Sequence, residues 1–192
     1  MNRLSSPGGR VVPDGGGTAA RMAKQTALGT FGKGKRGIST VGWLLRGAAA
    51  GAAGTTALNV TAYGDMAVRG RPASTTPEQT VEKLAGRAHV SVPGAPERRQ
   101  NRVEGLGAMT GLAAGVGIGA LVGMIRALGY RSRPLVGTGL ITAGVLAATN
   151  GPMTVLGVTD PRTWSRVDWI SDVVPHLAYA AVVKATMDAF DR

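Results

Sequence analysis

Apolar and small residues gather along this chain into long runs separated by short charged clusters. Between Arg46 and Arg69 lie 22 residues whose only charge is Asp65. Between Glu104 and Arg126 lie 21 uncharged residues, and between Arg133 and Asp160 lie 26. About 20 apolar residues cross the hydrocarbon of a bilayer as a helix rising 1.5 Å per residue, and runs of this length are hard to place in a soluble core. The pattern predicts membrane spans over about 42–66, 105–126 and 134–157, with a weaker fourth over about 169–190. The fourth has an uncharged run only from Val173 to Val183, so it spans if Asp172 and Lys184 lie near opposite interfaces, Lys184 snorkelling. The predicted fold class is all-α: a polytopic membrane protein, a bundle of about four glycine-rich transmembrane helices with a disordered basic N-terminal tail.

The tail is residues 1–40, rich in Gly, Ser and Pro and without apolar periodicity, and the helical domain is 41–192. No apolar stretch follows the first basic residues closely enough for a secretory signal, whereas an organelle transit peptide shares the tail's basic character. Met22 heads a second plausible start, MAKQTALG. Within the long segment after Arg69, Thr76-Pro77-Glu78-Gln79 has the form of a helix start: Thr as N-cap, Pro at the first position, Gln closing a capping box. A loop helix is predicted over about 77–88, with Val81, Leu84, Ala85 and Ala88 on one face against the bundle or the lipid surface. Pro93 and Pro96 then predict an extended stretch.

Composition changes the picture in three ways. Charged residues make up 17% of the chain, below the roughly 25% of a soluble domain, and 30 residues are glycine. The spans are Ala- and Gly-rich, so each is only marginally hydrophobic, and the rival reading is a soluble Ala/Gly-rich domain. The net charge of +11 invites a nucleic-acid reading, but the basic residues flank apolar runs, which argues for a bilayer and against nucleic acid. With the N-terminus inside, inner segments hold 13 Lys and Arg and outer segments 9, predicting both termini on the cytoplasmic side of a bacterial inner membrane. Cysteine is absent, which excludes disulfides, thiolate metal sites and thiol catalysis.

Gly107, Gly111, Gly115, Gly119 and Gly123 recur every four residues and form a ridge without side chains along the second span. Such a ridge serves helix packing within the chain, contact with another chain, or, with several copies, a glycine-lined pore. Gly47, Gly51 and Gly54 on the first span, and Gly139, Ala143 and Ala147 on the third, are small residues available to meet it. Thr55, Asn59 and Tyr63 share a face of the first span, either bonding helix backbones or forming a hydrophilic track for a small solute. Asp65 is expected at the outer boundary. Asn150-Gly151-Pro152 predicts a kink or unwinding in the third span, marking either a site or the end of the span with an outer connector from Met153. Asp168, Asp172 and His176 stand four residues apart on one face, with Ser165 placed as N-cap. His176 reads as a structural partner, a proton-sensitive group beside Asp172, or a metal ligand, although His89 is the only other histidine. Pro175 frees a carbonyl that can orient the imidazole. Trp164 and Trp169 are placed in the outer headgroup belt. No nucleophile–base pair or metal set is visible, so neither an enzyme nor a cofactor is predicted.

The stretch Leu156-Gly157-Val158-Thr159-Asp160-Pro161, followed by Trp169, Asp172 and His176, resembles the C-terminal part of YagU-like small bacterial inner-membrane proteins. The wider layout resembles uncharacterised actinobacterial membrane proteins. The resemblance implies an inner-membrane helical protein and brings no reaction or ligand. The expected function is a membrane interaction or assembly component partnered by the bilayer and by a further copy or another membrane protein. The alternative is a small transporter or channel with a proton-sensitive site at His176 and Asp172, joined by Asn59 and Asn150.

Overall fold

A computed structural model describes Ile38–Arg192, so nearly all of the predicted tail lies outside the described residues. Among the described residues the chain is all-helical. Its helices are α1 (Thr40–Arg69), α2 (Thr76–Arg87), α3 (Pro96–Ala127), α4 (Pro134–Val155) and α5 (Arg166–Ala189), with a 3₁₀ turn at Pro161–Thr163. Local chemistry sets most of the boundaries. Ser39 accepts from the Gly42 amide at the start of α1, and Gly70 ends it in the left-handed region at φ 63°. Pro96 is the first residue of α3 rather than part of an extended stretch, because a proline costs nothing where no amide partner exists. The charged turn from Glu97 to Glu104 therefore belongs to the same helix as the apolar run. Thr75, one residue before the predicted cap, holds the N-cap position of α2 without a side-chain bond to the helix amides, so the expected capping box does not form, although the Gln79 amide donates to the Thr75 hydroxyl at 2.9 Å.

The break expected at Asn150-Gly151-Pro152 is corrected: α4 remains helical through Pro152 to Val155. Thr154 donates its hydroxyl to the Asn150 carbonyl at 2.7 Å, and the Leu156 amide bonds Pro152 at 2.9 Å, so the last turn keeps partners around the proline. Arg87 at the end of α2 donates to the Val155 carbonyl at 2.9 Å, capping α4 from another helix.

α1 packs most extensively on α3 and next on α5, while α4 joins the bundle through α5 and barely touches α3. The α1–α3 seam is built from glycine. A Cβ on Gly47 would strike the Gly119 carbonyl and stand 2.8 Å from the Gly123 Cα; one on Gly51 would stand 3.0 Å from the Gly119 Cα. Backbones approach this closely only where neither helix carries side chains. Two expectations are corrected here. Gly111 meets nothing within 4 Å and faces an open cavity, and the third-span stripe of Gly139, Ala143 and Ala147 is exposed rather than set against the ridge. A Cβ on Gly107 would stand 3.1 Å from Pro77 of α2, and one on Gly54 would stand 2.7 Å from the Tyr179 ring of α5. The core around this seam consists of Trp43, Ala50, Val145, Tyr179, Ala180, Val183 and Met187.

One end of the bundle carries a charged ladder. Arg126 donates to Asp188 at 2.5 Å and pairs with Asp191 at 3.2 Å, Arg131 pairs with Asp191 at 3.1 Å, and Lys184 donates to Asp188 at 2.5 Å. Arg46 and Arg131 both lie over the Trp43 ring, at 5.4 and 5.6 Å from its centroid. Lys184 is 4% exposed, so it is an internal partner of Asp188 and does not snorkel.

Only α3 is long and apolar enough on length and composition to count as a candidate membrane span among the described residues, and 17% of its apolar window is buried. A core helix of a soluble protein would be mostly covered. Other helices also point large apolar side chains outward, as at Leu135, 89% exposed, and Val155, 73% exposed.

Candidate functional site

The half of the bundle away from the charged ladder encloses a cavity of about 450 Å³ lined by residues of all five helices. The four-residue period of α1 brings Thr55, Asn59 and Tyr63 to its wall. Thr149 of α4 and His176 of α5 line the same cavity, and Gly111 widens the space by contributing no side chain. Arg71, Glu78 and Glu104 line the end nearest α2. One carboxylate oxygen of Glu78 is buried without a hydrogen-bond partner. Buried carboxylate oxygens normally find donors, so this one is placed to accept from whatever enters.

At the inner end Tyr179 donates its hydroxyl to the Gly115 carbonyl at 2.6 Å, and Thr55 donates to Gly51 at 2.9 Å. The Thr55 bond depends on the ridge, because a Cβ on Gly115 would overlap the Thr55 hydroxyl. Ile118 and Val145 close the cavity on the side facing a second, apolar slot between α3 and α4.

The structure brings three of the predicted polar residues together. Asn150 of α4 donates its amide to the Asp172 carboxylate at 2.7 Å. His176 Nδ1 lies 2.7 Å from the Asp172 carbonyl oxygen and 3.4 Å from its carboxylate. A carbonyl only accepts, so Nδ1 carries hydrogen, and in the neutral ring Nε2 is the remaining acceptor. The carbonyl that Pro175 frees is that of Ser171, one residue from the carbonyl the imidazole uses; the proline therefore does not orient His176 in the expected way. Asn59 lines the same cavity as His176, from α1.

Asp168 does not join this group. It closes a capping box, its carboxylate accepting from the Ser165 hydroxyl at 2.7 Å and amide at 2.9 Å. Those two donors hold its carboxyl below the usual carboxylate range. Asp160 is lowered likewise by the side chain and amide of Arg162. Asp65 binds Arg69 at 2.5 Å and Arg71 at 2.6 Å, and Arg69 also donates to Ser171, tying α1 to the start of α5. Trp164 and Trp169 stack edge to face at 5.0 Å beside this junction. His89 is exposed beyond the end of α2 and is not among the cavity-lining residues. Among the described residues no three of His, Cys, Asp and Glu gather in a metal-binding arrangement.

Tyr179 and Glu78 are among the wall residues that sequence reasoning missed, with Arg71, Glu104 and Thr149. Tyr179 follows His176 by three positions and so shares its helical face, a signal available in the sequence. Glu78 carried none, since its place in the wall follows from how α2 folds back onto α3.

Comparison of the chain with protein-family models, with curated proteins and with solved structures gives no match.

Proposed function

We propose that the chain is a multi-pass inner-membrane protein in which α1, α3, α4 and α5 cross the bilayer with both termini cytoplasmic. In this reading it is a small transporter that takes a polar solute through the central cavity, with transport linked to protonation of His176. The carrying observation is the cavity wall itself, where amide, hydroxyl, imidazole and carboxylate groups from five helices converge within an apolar bundle. Polar groups at membrane depth are costly and are retained where they face a cavity. The α1–α3 seam supports this choice over a purely associative role, because the glycine ridge is consumed inside the chain.

With Nδ1 committed to the Asp172 carbonyl, Nε2 is the atom that takes up a proton or accepts from a solute. Asp172, itself steadied by Asn150, balances the imidazolium that results. Arg71, Glu78, Glu104, Tyr63 and Tyr179 are the other ionisable groups on the wall.

Proteoliposomes loaded with a pH-sensitive dye test the proposal. Proton movement driven by a gradient of a small polar solute is expected from the wild type and is lost in His176→Gln with protein abundance preserved. Full activity in His176→Gln, with loss of abundance in His176→Leu, would make His176 a structural partner only.

A second reading, an assembly component, draws on the exposed α4 stripe of Gly139, Ala143 and Ala147. The chain contains no cysteine, so Ala143→Cys reports it cleanly: a disulfide-linked dimer in membranes supports assembly through α4. The resemblance to YagU-like proteins is compatible with either reading and selects neither.

A further inference from the structure

Two carboxylates stand without a cation at the α2 end of the central cavity. Gly107 lets α2 close onto α3: a Cβ there would stand 3.2 Å from the Glu78 amide nitrogen, so Glu78 lies beside the α3 turn that carries Glu104. Among the described residues neither acid joins an ion pair. Glu104 accepts from the neutral Gln100 amide at 3.0 Å, and one Glu78 carboxylate oxygen is buried with no donor. The guanidinium on the same wall, Arg71, is engaged elsewhere, donating to Asp65 at 2.6 Å and to the Pro72 carbonyl at 3.2 Å. Asp65 also holds Arg69, so that trio keeps one positive charge against the two negative charges of Glu78 and Glu104. This end of the cavity is left net negative.

A glutamate in the first turn suits α2, because it faces the positive pole of the helix. That preference accounts for an acid at position 78 but not for an oxygen held out of water without a donor, a costly state until something donates to it. We propose that the cavity takes a small organic cation, a protonated amine whose ammonium is held by Glu78 and Glu104 and whose apolar body lies along Leu58, Met66, Leu112 and Met153. A bare metal ion matches the site less well: no three of His, Cys, Asp and Glu gather among the described residues, and the ion would leave the aliphatic wall uncovered. The cavity, about 450 Å³, has the size of a small-molecule site. The inference rests on the solute reading proposed above and gives it a substrate class. Binding is read at equilibrium, apart from transport, so a bound amine that no gradient carries would sink the transport reading alone.

The full chain, purified in detergent, is presented with tritiated 2-phenylethylamine, and bound ligand is read by scintillation proximity. Unlabelled amine competes with 2-phenylethanol, 3-phenylpropionate and potassium ion, which are neutral, anionic and inorganic counterparts. The expected result is saturable binding that the unlabelled amine displaces at least about tenfold better than any of the three. Glu78→Gln, which keeps the shape and removes the charge, weakens binding by about tenfold or more. Glu82→Gln, one turn along α2 at a residue paired with Arg99 and off the cavity wall, leaves it unchanged. Glycine supplies a second, independent pair. A Cβ on Gly111 meets nothing within 4 Å although the residue lines the cavity, so Gly111→Leu fills the space without disturbing a packed contact and abolishes binding. Gly117 is equally open but off the wall, and Gly117→Leu keeps binding. Absence of saturable binding would overturn the proposal, as would undiminished binding in Glu78→Gln or Gly111→Leu. Equal displacement by the alcohol or the carboxylate would remove the charge preference, and equal displacement by potassium would show an inorganic cation site; either overturns it.

Discussion

Single glycines in this protein do different work at the same spacing. Gly119 sits where a Cβ would meet the Gly51 amide nitrogen at 2.6 Å, and Gly111, two turns earlier, meets nothing. Gly119→Ala is therefore expected to destabilise by about 1–3 kcal/mol through overpacking against backbone that cannot move aside. Gly111→Ala is expected to be neutral or slightly stabilising, since alanine favours helix and the added methyl enters the cavity. Thermal unfolding of both variants in detergent checks this, and equal losses would mean the seam is looser than drawn. The ridge was legible in the sequence as a period of four. Which of its members touch a partner was not, because that depends on where α1 crosses α3.

At the scale of elements, helix positions followed from uncharged runs and start signals, whereas lengths did not. α3 begins nine residues before its predicted span, since Pro96 nucleates a helix that the charged residues then continue. α4 runs through Pro152 because its last turn finds other donors and acceptors. The α5 start was the most readable, and its capping box makes a pH prediction. Asp168 has a folded pKa below its unfolded value, so its contribution is present at neutral pH and lost as pH falls through the folded carboxyl's titration. Circular dichroism is expected to show helix fraying at acid pH that Asp168→Asn, already lacking the charge, does not add to. An acid response in Asp168→Asn as large as in the wild type would place the effect elsewhere, Asp160 being the next carboxylate to examine. The polar site was legible in part: Asp172 and His176 shared a face in sequence, but Asn150 reached them only through the packing of α4 on α5.

For the whole molecule, the expected outcome is retention in the membrane pellet after alkaline carbonate washing and a cytoplasmic reporter signal at Arg192. Release into the supernatant would remove the bilayer reading; an external signal would reverse the orientation. The charged ladder could not have been foreseen from charge counts, because Arg126, Lys184 and Asp188 meet only when α3 and α5 pack at one end. The same packing sets the relation between the two cavities. Ile118 and Val145 line both, so two aliphatic side chains on a weakly attached helix pair separate the polar chamber from the apolar slot. A small outward swing of α4 about its α5 contact would part them and turn the partition into a lateral door. On the proposed bilayer reading, a guest with an oily end would then reach the chamber sideways through the slot, without passing Arg71, Glu78 and Glu104 at the end nearest α2.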